Sequence, residues 1–202
     1  SDKFETGVKE NKSQWYATAF LQDDWSINKQ FSVVAGLRCD YHEKYGANVT
    51  PKASVMYKVF PFTVRFNYAR GYRSPSIKEL YMNWDHLGMF WIYGNSKLKP
   101  ETNNYISLSG EYVNSWININ TNIYSNWFRN KIEGMWSNDQ TELHYTNVGK
   151  SHLAGVETMC KVQINRHINV HGAYNYLYTS KDADGVRLSS SSPHSGNIRA
   201  EY

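Results

Sequence analysis

The sequence predicts an all-β protein, a transmembrane antiparallel up-and-down β-barrel of which the chain holds about nine strands. Three observations carry this. Apolar and polar residues alternate with period two, the signal of a strand with two different faces. The alternating segments mostly run ten residues or more, against about five or six for a strand in a soluble domain and about 9–11 for a tilted transmembrane strand. Short and long connections alternate between them, as periplasmic turns and extracellular loops do in outer-membrane barrels.

The strands are taken in order. In 15–27, Trp15, Ala17, Ala19 and Leu21 share a face up to Trp25. In 31–42, Phe31, Val33, Ala35, Leu37, Cys39 and Tyr41 alternate with Ser32, Arg38 and Asp40. Segment 50–59 follows, and in 62–71 Phe62, Val64, Phe66 and Tyr68 alternate with Thr63, Arg65 and Asn67. Segment 104–114 leads to 116–128, where Ile117, Ile119, Thr121, Ile123, Ser125 and Trp127 oppose Asn118, Asn120, Asn122, Tyr124 and Asn126. A helix would mix those two sets. In 152–164, Ala154, Val156, Cys160, Val162 and Ile164 share a face. In 167–180, Tyr174, Tyr176 and Tyr178 face opposite His167, His171 and Asn175, and 193–202 is the ninth strand.

Four connections are tight: 28–30, Phe60-Pro61, Asn114-Ser115 and Asn165-Arg166. The others, 43–49, 72–103, 129–151 and 181–192, are expected outside the cell. Aromatic residues are 15% of the chain and collect near strand ends, as rings with one polar edge do at a membrane interface. The mean hydropathy of −0.64 then averages a lipid face with a wet one. A net charge of +4 is too mild and scattered for nucleic acid. Cys39 and Cys160, on the apolar register of distant strands, are expected unpaired. The chain opens on Ser-Asp-Lys without a leader pattern and closes on Glu201-Tyr202 within a strand. It is expected to be a piece of a longer protein, with a processed chain as the alternative. Nine strands leave two edges, and a 22-strand barrel needs at least about twice this length.

Residues 69–102 carry two boxes. The first is Tyr72-Arg73-Ser74-Pro75 with Glu79-Leu80-Tyr81; the second is Gly94-Asn95-Ser96-Lys97-Leu98-Lys99-Pro100-Glu101. Pro75 turns the chain out of its strand, and Ser76 is placed to cap a short helix bearing Ile77, Glu79 and Leu80. Gly94-Asn95 is a turn dipeptide, and Pro100 precedes a strand, where its missing N–H does no harm. Arg73, Glu79 and Glu101 are expected to form ion pairs that pin the loop.

With these boxes the chain resembles the barrel of a TonB-dependent outer-membrane receptor, toward the C-terminal side of that protein. Asn147-Val148-Gly149-Lys150, Gly155-Val156-Glu157 and Tyr174-Asn175-Tyr176 with Pro193-His194 extend the resemblance over the whole chain. Ser74 and Ser96 depart from the Ala and Pro common in the family. The resemblance implies active transport of a scarce nutrient, such as a ferric siderophore, haem or cobalamin. It also implies an outer membrane of a Gram-negative bacterium, and TonB as partner through a plug domain that this chain does not contain. No enzyme activity and no cofactor follow from it. Candidate substrate contacts are Arg73, Trp84, His86, Trp91 and Tyr93, with His144 and Tyr145 in the other long loop. In haem receptors of this family a His between the boxes is an axial-ligand candidate, and His86 has that place.

Other constellations carry less. His167 and His171 read as solvated lumen residues, and Asp182, Asp184 and Gly185 as an extracellular turn lacking the downstream Glu of a calcium loop. Two further readings stand beside the receptor: a small autonomous outer-membrane barrel (adhesin or porin-like), and a soluble β-sandwich that binds glycan. The first needs an even strand count and no paired boxes; the second needs shorter strands and a closed core.

Overall fold

The computed structural model describes residues 2–3, 11–180 and 192–202. In chain order the elements are β1 (Asp2–Lys3), β2 (Asn11–Lys12), β3 (Tyr16–Ser26), β4 (Phe31–His42), β5 (Gly46–Val59), β6 (Phe62–Arg73), α1 (Ile77–Tyr81), β7 (Asn83–Asp85), β8 (Trp91–Tyr93), β9 (Glu101–Val113), β10 (Ile117–Arg129), β11 (Ile132–Trp136), β12 (Glu142–Asn147), β13 (Lys150–Gln163), β14 (Asn169–Thr179) and β15 (His194–Glu201). Nine of them form one sheet in the order β15-β14-β13-β10-β9-β6-β5-β4-β3. Every neighbouring pair is antiparallel. This is the up-and-down meander of a barrel wall, with β3 and β15 at its edges.

The register sorts the side chains into two faces. Leu21, Leu37, Val64, Leu108, Ile119, Val156 and Tyr174 belong to one. Gln22, Arg65, Ser109, Asn118, Glu157 and Asn175 belong to the other, where Asn67 donates from Nδ2 to Ser107 Oγ at 3.0 Å and Asn103 to Asn126 Oδ1 at 2.7 Å. The apolar face is bare. Phe20, Leu21, Leu37, Phe66, Leu108, Ile123 and Ile198 are all at least 46% exposed, and of these only Phe20 stands on the polar register. A sheet that shows its apolar side outward is built for lipid. No helix among the described residues is long and apolar enough to cross a membrane.

The buried apolar side chains among the described residues are Leu80, Met82, Ile92, Leu98 and Ile132. Not one lies in the nine-stranded sheet. They form the inside of a cap made by the two long connections. Within that cap a second sheet runs in the order β11-β12-β8-β7.

The structure departs from the sequence reading in three places. The connection expected at 43–49 is a turn at 43–45, because β5 begins at Gly46. Alternation continues through Ala47 and Val49, while pairing to β6 starts only at Lys52. Pro51, which has no N–H to offer, sits where β5 leaves β6. The spans 72–103 and 129–151, expected as loops, hold α1, β7, β8, β11 and β12. His167 precedes β14 instead of lying in it; its N–H donates to Asn165 Oδ1 at 2.8 Å. His171 does lie on the polar face, opposite Lys161 and Arg199. Cys39 and Cys160 are free thiols. Asp182, Asp184 and Gly185, and all of 181–192 except its last residue, lie outside the described residues.

Candidate functional site

The cap is assembled from the boxes. β6 ends at Arg73, and Pro75, almost fully buried, turns the chain into α1. Ser76 is the N-cap and forms a complete capping box: Glu79 N donates to Ser76 Oγ at 3.2 Å and Ser76 N donates to Glu79 Oε2 at 2.8 Å. The same carboxylate accepts both contacts from Arg73 Nη1, at 2.9 and 3.0 Å. Arg73 Nη2 reaches Glu101 Oε2 at 3.3 Å, and that oxygen also accepts from Ile132 N at 2.9 Å. One guanidinium thus ties the end of β6 to the helix, to β9 and, through Glu101, to the second long connection. Burial pushes the Glu79 carboxyl up, but the Ser76 amide, the Arg73 guanidinium and the Ser76 hydroxyl outweigh it and hold the group below the usual carboxylate range.

The second box closes against the first. Asn95 N donates to Glu79 O at 2.8 Å. Gly94 lies so near that a Cβ there would meet Tyr81 N and Met82 N at 2.7 Å. Leu98 packs with Leu80 and Ile132, and Tyr81 and Tyr145 cover them. Burial, and then the nearby Glu79 charge, push the Tyr145 hydroxyl up. The 43–45 turn grips the box from the side: Lys44 Nζ donates to Ser96 O at 2.9 Å, and Tyr45 Oη to Leu98 O at 3.1 Å.

β8 pairs with β12 in parallel, opposing Trp91 to Glu142, Ile92 to Leu143 and Tyr93 to His144. Antiparallel pairing adds β7 and β11 on the flanks. Alternation then divides the cap sheet. Trp84, Ile92, Leu143 and Tyr145 share the face that carries buried Ile132. Trp91, Tyr93, Met135, Glu142 and His144 share the other. On it Trp91 and Tyr93 stack at 6.0 Å between centroids, and Tyr93 and His144 at 4.9 Å. His144 Nε2 lies 2.7 Å from Glu142 Oε2. His86 stands at the tip of the β7–β8 hairpin, whose turn residues Leu87 and Gly88 both have positive φ. Its ring lies between Trp84 at 4.7 Å and Phe90 at 4.8 Å, and its Nδ1 is buried without a hydrogen-bond partner.

The structure therefore brings Trp91, Tyr93 and His144 into one row. It sets Trp84 and Tyr145 on the opposite face, His86 at the hairpin tip, and Arg73 within the ion pairs of the boxes. Of the box residues, Tyr72 ends on the register of the apolar face, opposite Thr102, and Pro100 leads into β9. Asn147, singled out from sequence only as part of the Asn147-Val148-Gly149-Lys150 segment, holds Lys99. Residues not singled out from sequence also matter here: Glu142 holds His144, and Phe90 packs edge-on against Trp136 at 5.0 Å. Among the described residues no group of three His, Cys, Asp or Glu side chains is placed to hold a metal.

A wall of long antiparallel strands, apolar outside, polar inside and capped at one end, defines an outer-membrane barrel. The family profile for TonB dependent receptor-like β-barrels matches residues 5–202, and the chain belongs to that family. Its place is the outer membrane of a Gram-negative bacterium. It is 25% identical over 197 residues to the iron-regulated outer membrane virulence protein of Vibrio cholerae, covering 90% of this chain and 30% of that protein. It is 26% identical over 188 residues to the ferrienterobactin receptor of Escherichia coli, covering 84% of this chain and 25% of that one. The fold matches the ferric enterobactin receptor PfeA of Pseudomonas aeruginosa, in a variant solved with enterobactin, with a TM-score of 0.78 at 21% identity over 96% of this chain and 32% of that one. The chain thus spans about 30% of the first of these relatives.

Proposed function

We propose that the protein is an active-transport receptor that takes up a ferric siderophore and is energised through TonB, by way of a plug domain. The observation that carries this reading is the partly exposed row Trp91–Tyr93–His144, built by both long connections on the cap over a polar-lined wall. Flat rings at that place offer stacking area to a rigid, aromatic or chelate-bearing ligand at low entropic cost. The relatives named for iron regulation and ferric enterobactin support the same reading. Binding and passage are the whole of the activity; no reaction is assigned.

Haem is the second reading. It rests on His86, with its unpartnered Nδ1 between two aromatic rings. One experiment separates the two. The full-length receptor is titrated with ferric enterobactin, other ferric siderophores, haemin and cyanocobalamin, and iron uptake is followed in cells with and without TonB. Saturable binding of one ferric siderophore, with uptake lost in the absence of TonB, is the expected result. Binding of haemin alone, with a haem spectrum altered by His86→Ala, would replace it by the haem reading. Binding of cyanocobalamin alone would exclude both.

A further inference from the structure

The face of the cap sheet that carries the aromatic row is charged with one sign. The register puts Asp85 and Glu133 on it together with Glu142, beside Trp91, Tyr93 and Met135. Every residue of β7, β8, β11 and β12 with a full charge at neutral pH is a carboxylate, and all of them stand on this face.

Asp85 and Glu142 stand on either side of Trp91, each directly opposite it in the ladder. Asp85 is exposed; its Oδ1 accepts from Gly88 N–H at 2.8 Å, and no cation pairs with it among the described residues. Glu142 meets only His144. Glu133 is matched by Lys131, just before β11. The turn between β11 and β12 adds the exposed Asp139, whose carboxyl the Ser137 hydroxyl, and then Thr141, hold below the usual carboxylate range. Arg73, Lys78, Lys97 and Lys99 belong to α1 and the boxes, not to this sheet.

We propose that this face selects a ferric chelate without net negative charge, a ferric tris-hydroxamate, and rejects a ferric tris-catecholate. The inference rests on the reading of the row as a siderophore surface and adds the class of siderophore. Hydroxamates are singly charged, so a set that fills the iron shell cancels the charge of Fe(III). Catecholates are doubly charged, so the same set leaves the chelate strongly anionic. An anion stacked on Trp91 and Tyr93 lies against Asp85 and Glu142, and like charges at such distances repel. That repulsion excludes the wrong ligand without weakening the contacts to the right one. A tris-hydroxamate lays its aliphatic spacers on the two rings and on the adaptable thioether of Met135. A pendant ammonium on it gains both a carboxylate and a ring face. The charge so selected is the opposite of that of ferric enterobactin, for which the Escherichia coli relative is named.

The test titrates the full-length receptor at low salt, where exposed charges are least screened. The probes are ferrioxamine B, a tris-hydroxamate with a free ammonium; its N-acetyl derivative, which is neutral; and ferric enterobactin. The wild type is expected to bind both hydroxamates at least about tenfold more tightly than ferric enterobactin. Asp85→Asn with Glu142→Gln keeps the acceptor for Gly88 N–H and a polar partner for His144 while removing both charges. It should narrow that gap by at least about threefold and abolish the preference for ferrioxamine B over its N-acetyl derivative. Ferric enterobactin bound as tightly as the hydroxamates, or more tightly, would overturn the inference and leave the siderophore reading standing. An unchanged gap in the double variant would overturn it as well. Binding of no ferric chelate at all would remove the siderophore reading itself, and the inference with it.

Discussion

The side-chain amide of Asn147 completes the backbone of Lys99: its Oδ1 accepts from Lys99 N–H at 2.8 Å and its Nδ2 donates to Lys99 O at 3.0 Å. The same Nδ2 lies 2.7 Å from Asn130 O. One amide thus joins the second box to both ends of the other long connection. Asn147→Ala removes all three contacts, at a cost of roughly 1–2 kcal/mol for a site that water partly reaches. Hydrogen exchange in the full-length receptor should speed up at Lys99 and across β11 and β12, with the barrel strands unchanged.

The cap should be acid-sensitive through Glu79. Its carboxyl is held below the usual range, so the folded cap binds fewer protons than the open one near the ordinary carboxylate value of about 4.3. Its contribution is therefore full above that value and is lost as pH falls through the lowered one. Loop fluorescence followed during acidification should show this transition, and Glu79→Gln should remove it while weakening the cap at neutral pH.

Gly94→Ala should loosen the junction of the boxes. Its Cβ would meet backbone atoms of Leu80, Tyr81 and Met82 at 2.7–2.8 Å, and none of them is a side chain able to swing aside. An overpacking cost of about 1–3 kcal/mol is expected. Limited proteolysis should cut between α1 and β9 in the variant faster than in the wild type.

Tyr93 is the centre of the partly exposed row, stacked on Trp91 and on His144. Tyr93→Ala should weaken siderophore binding by about 1 kcal/mol or more, roughly fivefold in Kd. Cap stability, read by thermal unfolding, should hardly change, because the ring is on the solvent side. An unaltered Kd would remove the row from the binding surface.

In water without detergent the 202-residue chain should associate. β3 and β15 are unpaired edges, and the apolar face is bare. Light scattering after size exclusion checks this; a sharp monomer would contradict the lipid-facing assignment.

The nine long strands were legible because a period of two over ten residues leaves little room for a helix, as the Ile and Asn sets of β10 show. The Arg73–Glu79–Glu101 ion pairs and the Ser76 cap were legible because their partners are close in sequence or fixed by strand pairing. The cap sheet was not. β7 and β8 have three residues each, too few to display alternation. The pairing of Trp91 with Glu142 joins segments about fifty residues apart by parallel contacts that no local pattern announces. For the same reason Trp84 and Trp91, alike in sequence, land on opposite faces.

That division has a consequence for how such a receptor changes over time. The side chains that hold the cap together and those it displays alternate along the same short strands. Ile92 lies between Trp91 and Tyr93, and Leu143 between Glu142 and His144. Substitutions at the displayed positions leave the packed ones untouched. Selection can therefore rewrite what the cap recognises one residue at a time, without first having to rescue its folding.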